Sequence, residues 1–324
     1  MSPLRAINNP VSPFEDPFSS TGVEAANRER YEPPFLPSQG NRGMFGGGYN
    51  DSTVIDYVTI TSTGNATDFG DLTQGRESPG CVSSGSRGVW GGGYLNGSST
   101  RTNVMDYVTI ASPGNATDFG DLQTARNGLK AVSNGTRGVF GGGYIHPAGS
   151  QDTMVYITIG SAGNATDFGN LTQAREGIAS SDGATRGIFA GGNPPTRDTM
   201  DYITIASTGD ATDFGNLQSN RMELGGVADS TRAVFCGGRT PSTVNTMGYV
   251  TVASTGDATD FGDLAVARYA MGACSNNIRG LLGGGYDGSD YNRIDYLTIQ
   301  TTGNTTDFGD LTTARRQSAG CSGD

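Results

Sequence analysis

The tetrapeptide Thr-Asp-Phe-Gly occurs six times, beginning at Thr67, Thr117, Thr166, Thr212, Thr259 and Thr306, with successive copies 50, 49, 46, 47 and 47 residues apart. That period is the length of a propeller blade. The same segments recur around each copy: Arg-Gly-apolar-Phe-Gly-Gly-Gly, a variable stretch, Asp-Tyr-Val-Thr-Ile, Gly-Asn-Ala-Thr-Asp-Phe-Gly-Asp-Leu, then Ala-Arg and a small-residue segment. Each unit therefore holds four short strands. Composition agrees, since 52 glycines with only 16% charged residues suit tight turns and short strands better than long helices. The low hydrophobic content, 34%, would also fit disorder. Regular apolar clusters such as Val54 to Ile60 argue against it.

Taken in order, the segments resemble the kelch repeat. In the second unit the matching residues are Arg76, the segment around Cys81 and Val82, Val89-Trp90-Gly91-Gly92, Tyr107, and Phe119 where that family places Trp. The resemblance covers residues 42 to 324 and implies an all-β, six-bladed kelch-like β-propeller, with Phe as the aromatic wedge between blades in all six units. We letter the strands of a blade a to d, with a innermost. In this frame the chain enters on strand b at Arg42 to Phe45 and finishes on strand a at Arg315 to Cys321. One blade is thus shared between the termini, and pairing of the two terminal strands is expected to close the ring and remove its open edges. Residues 1–41 are expected to be an extended, proline-rich docking arm, and 42–324 the propeller.

Several recurring residues invite a functional reading and receive a structural one. The Gly-Gly pairs, such as Gly46-Gly47 and Gly237-Gly238, precede no helix, so they read as bulges or tight crossings and not as a phosphate cradle. Asp68 and Asp71 with their repeats could offer oxygen ligands to calcium, but Asn170 and Asn216 replace the second acid in two units. These Asx residues are expected to hydrogen-bond their own turns, with no metal site. Arg42, Arg87, Arg137, Arg186, Arg232 and Arg279 open strand b, while Arg76, Arg126, Arg175, Arg221, Arg268 and Arg315 precede strand a. Both sets are expected to pair with Asp or Asn and bridge blades.

The net charge of −11, with twenty arginines at fixed places and one lysine, Lys130, argues against a nucleic-acid partner. No apolar run is long enough for a membrane span and no secretion signal opens the chain, so a soluble, non-inserted protein is expected. Cys81, Cys236, Cys274 and Cys321 stand singly and read as reduced, buried thiols. His146 is the only histidine, so a two-histidine copper centre lacks its ligands and a histidine-based triad would have to rest on this one residue, which lies in a loop without a repeat counterpart and reads as a surface residue and not a base. The Asp-box of sialidases is absent. We therefore expect no catalytic residues and no cofactor, and place a sialidase-like enzyme third among the readings.

The c–d turns are nearly identical among units, whereas the b–c loops differ in length and composition, so recognition is expected on the b–c face. Its candidate residues are Asn50, Asp51, Asn96, Arg101, His146, Asn193, Arg197, Arg239, Asp287, Tyr291 and Arg293. The arm holds seven of the thirteen prolines and carries Phe14, Phe18, Tyr31 and Phe35 as candidate anchors. The near-identical units and the short arm look similar to kelch-like virion proteins of tailed bacteriophages of marine bacteria and cyanobacteria. That resemblance implies a non-enzymatic head or tail component assembled in the host cytoplasm. Its implied partners are other virion proteins through the arm, further copies of the chain, and a host-surface protein or glycan. The alternative is an intracellular kelch-type adaptor.

Overall fold

The computed structural model describes residues 39–183 and 185–324, and these form six four-stranded antiparallel sheets and no helix. The four arm anchors lie outside the described residues. In the second blade, strands a to d are Gly80–Ser83, Arg87–Gly91, Val104–Thr109 and Thr117–Asp121. The chain is a six-bladed β-propeller: each inner strand packs beside the inner strands of the two neighbouring blades, and the series closes on itself. The closing blade is built as expected from both ends of the ring. Strand Arg42–Gly46 pairs antiparallel with Ala319–Gly323, in the register Arg42 opposite Gly323 and Gly46 opposite Ala319. Beyond it, Asn41 N donates to the Asp324 carboxylate at 2.7 Å.

The core is six separate apolar clusters, one at each junction between blades. The Thr-Asp-Phe-Gly repeat is explained by what it does at these junctions. Strands c and d pair with a bulge, so that Asp56 faces Asp68 and Ile55 faces Gly70 while Phe69 between them has no cross-strand partner. Phe69 turns instead into the junction with the next blade, beside Val108 and Ile110, and meets Tyr57 edge-on at 5.8 Å. Gly70 leaves room for that blade's c–d turn, since a Cβ there would lie 2.5 Å from Gly114. The turn is then hydrogen-bonded in place: Gly114 N donates to Phe69 O at 2.7 Å and Ala116 N to Asp71 O at 2.7 Å. Each outer strand is thus capped by its neighbour.

Strand b supplies a second wedge that the sequence reading missed. Phe45, Trp90, Phe140, Phe189 and Phe235 are fully buried, and the first four press on a glycine of an adjacent blade. A Cβ on Gly46 would stand 2.6 Å from Trp90, one on Gly91 3.0 Å from Phe140, and one on Gly283 2.9 Å from Phe45. Where the wedge is the smaller Leu282, the seat is Cys236, which packs in the same cluster.

Three expectations need adjustment. Of the two readings of the glycine pairs the tight crossing holds, since a Cβ on Gly47 would lie 2.7 Å from Arg76 O, and the bulge does not, because the bulges lie between strands c and d. Gly48, at φ +140, donates to Arg76 O of the next blade's entry segment at 2.9 Å, and the same bond recurs from Gly93 to Arg126. The Asp71-type side chains do not bond their own turn: Asp71 Oδ1 accepts from Thr53 Oγ1 at 2.7 Å, and Asn170 and Asn216 donate Nδ2 to Asp210 and Asp257 of the next blade's turn. The capping side chains are the Asn or Asp of that next turn, as Asn115 Oδ1 accepts from Asp71 N at 3.1 Å, and Asp210 and Asp257 do the same for Asn170 and Asn216.

The third correction concerns the arginines, which are structural but divide the labour differently. Those opening strand b bridge blades through carbonyls, as Arg87 does to Ile159 O at 3.0 Å while stacking on Tyr107 at 4.3 Å. Those before strand a are fully buried and anchor the incoming segment to its own blade. Arg76 pairs with Asp106, Arg175 with Asp201 at 2.6 Å, Arg268 with Asp295 at 2.8 Å and Arg315 with Asp56 at 2.8 Å. In blades three and five the carboxylate is replaced by Val155 and Gly248, and Arg126 and Arg221 rest on carbonyl and threonine oxygens instead. Burial without a counter-ion pushes Arg126 down to about 10.

Candidate binding site at the axial mouth

The segment entering each strand a turns through one residue with left-handed backbone. These are Ser78, Gly128, Gly177, Glu223, Ala270 and Gln317, with φ between +55 and +67. Four of the six carry side chains, a conformation that costs of order 1–3 kcal/mol where it is strained. What holds it is a closed collar of backbone hydrogen bonds. Ser78 N donates to Gln317 O (2.8 Å), Gln317 N to Ala270 O (2.7 Å) and Ala270 N to Glu223 O (2.8 Å). Glu223 N then donates to Gly177 O (2.6 Å), Gly177 N to Gly128 O (2.9 Å) and Gly128 N to Ser78 O (3.0 Å). The collar encircles the axis on the b–c face and forms the mouth of a cavity of about 210 Å³.

The wall of this cavity is apolar at Leu129, Ile178, Leu224 and Met271, and polar at Asn127, Asn193, Glu176, Glu223, Arg239 and Lys130. Glu223 accepts from Arg239 Nε at 2.6 Å. Burial raises the Glu176 carboxyl above its ordinary range, the field of Glu223 adds to this, and Arg101 and Ser150 oppose it. Outside the collar lie two arcs of stacked rings and guanidinium groups. Arg316 lies over Tyr49 (3.7 Å) and Tyr286 (4.3 Å), Tyr286 meets Tyr269 edge-on at 5.6 Å, and Arg239 covers Tyr269 at 4.7 Å. In the second arc Arg101 sits between Tyr94 (5.1 Å) and Tyr144 (4.9 Å).

Of the eleven predicted residues, Asn193 and Arg239 line the cavity and Arg101 holds the second arc. The others do not converge on it. Asp51 accepts from Asn96 N (2.5 Å) and Gly97 N (2.6 Å), and Asn96 Nδ2 donates to Asn50 Oδ1 at 3.3 Å, so these three tie two loops together. Asp287 accepts from the Tyr291 hydroxyl at 2.8 Å, and Arg293 is paired with Asp295 at 2.6 Å. Arg197 reaches Pro194 O at 3.4 Å, and His146 is exposed just after the short Tyr144–Ile145 strand. The reading missed Asn127, Glu176, Glu223 and Lys130 because they come from the segment entering strand a, not from the b–c loops. One signal was available: Lys130 is the chain's only lysine.

The opposite end of the axis is differently built. The fourth position of strand a is Ser83, Ser133, Asp182, Ala228, Ser275 and Ser322 in the six blades, and the serine hydroxyls link neighbours, as Ser83 Oγ does to Ser322 O at 2.6 Å. Gln39 fills the place left by Ala228: Nε2 donates to Ala228 O (2.9 Å) and Ser275 Oγ (3.1 Å), and Oε1 accepts from Asn277 N (2.7 Å). A narrower channel of about 80 Å³ runs from here past Cys81, Cys274 and Cys321 to Lys130. The four thiols are free, and burial raises Cys81 and Cys274 well above the ordinary thiol range and pushes Cys236 up to about 12. Among the described residues no group of three or more His, Cys, Asp or Glu side chains is placed to hold a metal ion. No family model matches the chain, and no curated protein is significantly similar to it.

Proposed function

We propose that the chain is a non-enzymatic binding propeller that recognises a partner at the mouth of the b–c face and is carried by its N-terminal arm. One observation bears most of the weight: the six-fold rule that governs the core and the c–d turns is abandoned at the mouth. The residue after the glycine turn is Tyr49, Tyr94, Tyr144, Asn193, Arg239 and Tyr286 in the six blades, and its partner before strand a is Arg316, Glu77, Asn127, Glu176, Met222 and Tyr269. Unequal side chains on an equal scaffold make a surface that fits one partner in one orientation. A non-catalytic role is supported by the pairing of charged groups there, Glu223 with Arg239 and Arg316 with Asp290.

Gln39 sits in the channel end away from the b–c mouth. The described chain therefore starts on the axis at one end of the ring while the variable loops lie at the other. This polarity supports the finer reading of a kelch-like virion protein of a tailed bacteriophage: an arm that docks to head or tail, and a propeller that presents its mouth to a host-surface protein or glycan. Mass spectrometry of purified particles tests the setting, and finding the chain only in soluble host fractions would favour the adaptor. Deleting residues 1–38 should leave the propeller's circular dichroism unchanged and abolish incorporation. An armless ring that still incorporates normally would transfer docking to the loop face.

A further inference from the structure

The first residue of strand a is Gly80, Ala179, Gly225, Gly272 and Ala319 in five blades, and Lys130 in the sixth. Crowding favours small residues at this position: a Cβ would stand 2.9 Å from Phe140 at Gly80 and 2.6 Å from Leu282 at Gly225. A long cationic side chain here is the sharpest departure from the repeat in the whole ring, and it is the only side-chain ammonium in a chain that otherwise carries twenty arginines and one histidine. Lys130 lines both the mouth cavity and the narrower channel, so it stands at the floor between them. Its backbone pairs with Gly141, but among the described residues its ammonium makes no hydrogen bond and no ion pair. Glu223 acts on it through space, yet that carboxylate is already bonded to Arg239 at 2.6 Å. Burial lowers its pKa, the sign expected of a cation without a sufficient partner. Five blades close without any such group, so packing of the ring does not require it.

We propose that the mouth cavity is a carboxylate site in which Lys130, at the floor, forms the ion pair with a compact monoanionic ligand. This rests on the reading of the b–c mouth as the binding face and names what enters it. The ligand's body would lie against Leu129, Ile178 and Met271, with the Asn193 amide and the Asn127 amide nitrogen, whose Oδ1 is held by Arg101 Nε at 3.2 Å, placed to meet hydroxyl or amide groups nearer the rim. Charge selects a carboxylate over a phosphate. Lys130 and Arg239 balance Glu176 and Glu223 in formal charge, so a single negative charge is tolerated far better than a double one beside the two carboxylates. Lysine also suits a single point contact, where paired oxygens of a phosphate are held best by arginine's fork. The cavity of about 210 Å³ is below the ~300–1,000 Å³ usual for drug-sized ligands. It therefore takes a small acid, or the acidic terminal unit of something larger that continues over the tyrosine arcs.

The experiment is calorimetric titration of the full chain with three probes: D-glucuronate, hexanoate and, as the neutral control, D-glucose. Binding of glucuronate but not hexanoate or glucose supports the site and identifies the source as a sugar acid. Binding of hexanoate alone supports the site with an aliphatic acid. Lys130→Met, which keeps the length and apolar stem, should weaken the bound acid at least tenfold while the thermal midpoint holds or rises. A second readout uses the fact that Lys130 carries the only side-chain amine: the bound acid should slow its acetylation, followed by mass spectrometry of the peptide containing residue 130. Glucose binding as well as the acids, acid binding unchanged in Lys130→Met, or no acid binding at all would overturn the proposal. Partner capture by the b–c face would survive those outcomes, so the two readings fail separately.

Discussion

The two faces of the ring are made by the same repeat and obey different rules. On the c–d face the turn Gly-Asn-Ala is tied to the neighbouring blade: the Gly114 and Ala116 amides bond carbonyls of the previous outer strand, and Asn115 accepts that strand's amide. A change in one unit would orphan a group in the next. On the b–c face the backbone is held just as firmly, by the collar and by the glycine amides, but the side chains around it are left to differ. Uniformity within the repeat marks residues with a fixed partner inside the ring, in the next copy for Asn115 and in the same blade for Arg76. Departure from it at the mouth marks side chains that closure of the ring does not specify.

The comparison presupposes a closed ring, and breaking closure is expected to have the largest effect. Removing residues 315–324 takes the inner strand from the first blade together with Arg315, leaving Asp56 without its buried partner and strand Arg42–Gly46 with an open edge. The truncated chain should lose its cooperative melt or associate, as read by calorimetry and size-exclusion chromatography. A stable monomer would show that closure does not hold the two faces in place.

Next in size is the buried anchor beneath the variable face. Asp201 accepts from Arg175 Nη2 (2.6 Å) and from Thr172 Oγ1 (2.6 Å). Asp201→Ala should cost about 3–5 kcal/mol, because it leaves the guanidinium buried and unpaired. The ring contains its own compensation. Blades with Thr at the position of Thr73, Thr172 and Thr312 have the Asp, whereas Gln123 accompanies Val155 and Gln218 accompanies Gly248. The double change Thr172→Gln with Asp201→Val should therefore be milder than Asp201→Ala in denaturant melts. Equal or greater loss would make the pairing of these residues an accident of the repeat.

The fold was legible because a repeat declares itself: six copies of Thr-Asp-Phe-Gly at blade spacing, with the odd strand at each terminus, specify both the ring and its closure. The partners of the repeated residues were not legible. Asn115 and Gly70 act on neighbouring blades about one repeat away, and a single unit read alone suggests a self-contained turn. The site was half legible. Loop variation pointed to the face that holds the mouth cavity and named Asn193, Arg239 and Arg101, but the cavity wall is shared with the segment entering strand a, whose left-handed residues are as unlike as Gly128 and Glu223. These positions do recur at the repeat's own spacing, two residues after each buried arginine, but no one residue type fills them, and only the collar of hydrogen bonds shows that they form one ring.

A smaller effect separates the faces directly. Asn164 Oδ1 accepts from Asp121 N at 2.9 Å across a junction, so Asn164→Ala should cost about 1–2 kcal/mol. Tyr94→Ala, on the mouth, should shift the melt less than that while weakening partner binding. If Tyr94→Ala proves the more destabilising and binding is unaltered, the arcs are scaffold and the distinction between the faces fails.

The smallest expected effect is a matter of pH, and it tests whether the mouth is as closed to water as its cavity suggests. Glu176 has its carboxyl pKa raised from 4.5, first by burial and then by Glu223, against Arg101 and the Ser150 hydrogen bond. A carboxyl raised in the folded state binds its proton more tightly there than in the unfolded chain. Its contribution is therefore complete below about 4.5, the unfolded value, and is lost as pH climbs through the raised folded value. Glu176→Gln has no such proton to lose, so its stability relative to the parent should grow between pH 4 and pH 7. The side chain is only partly buried, and solvent screening should keep the gain within about 0.5 kcal/mol. Urea melts of both proteins across that range measure it. A constant difference would mean that Glu176 is fully hydrated, and that the mouth is a wet rim without a desolvated wall.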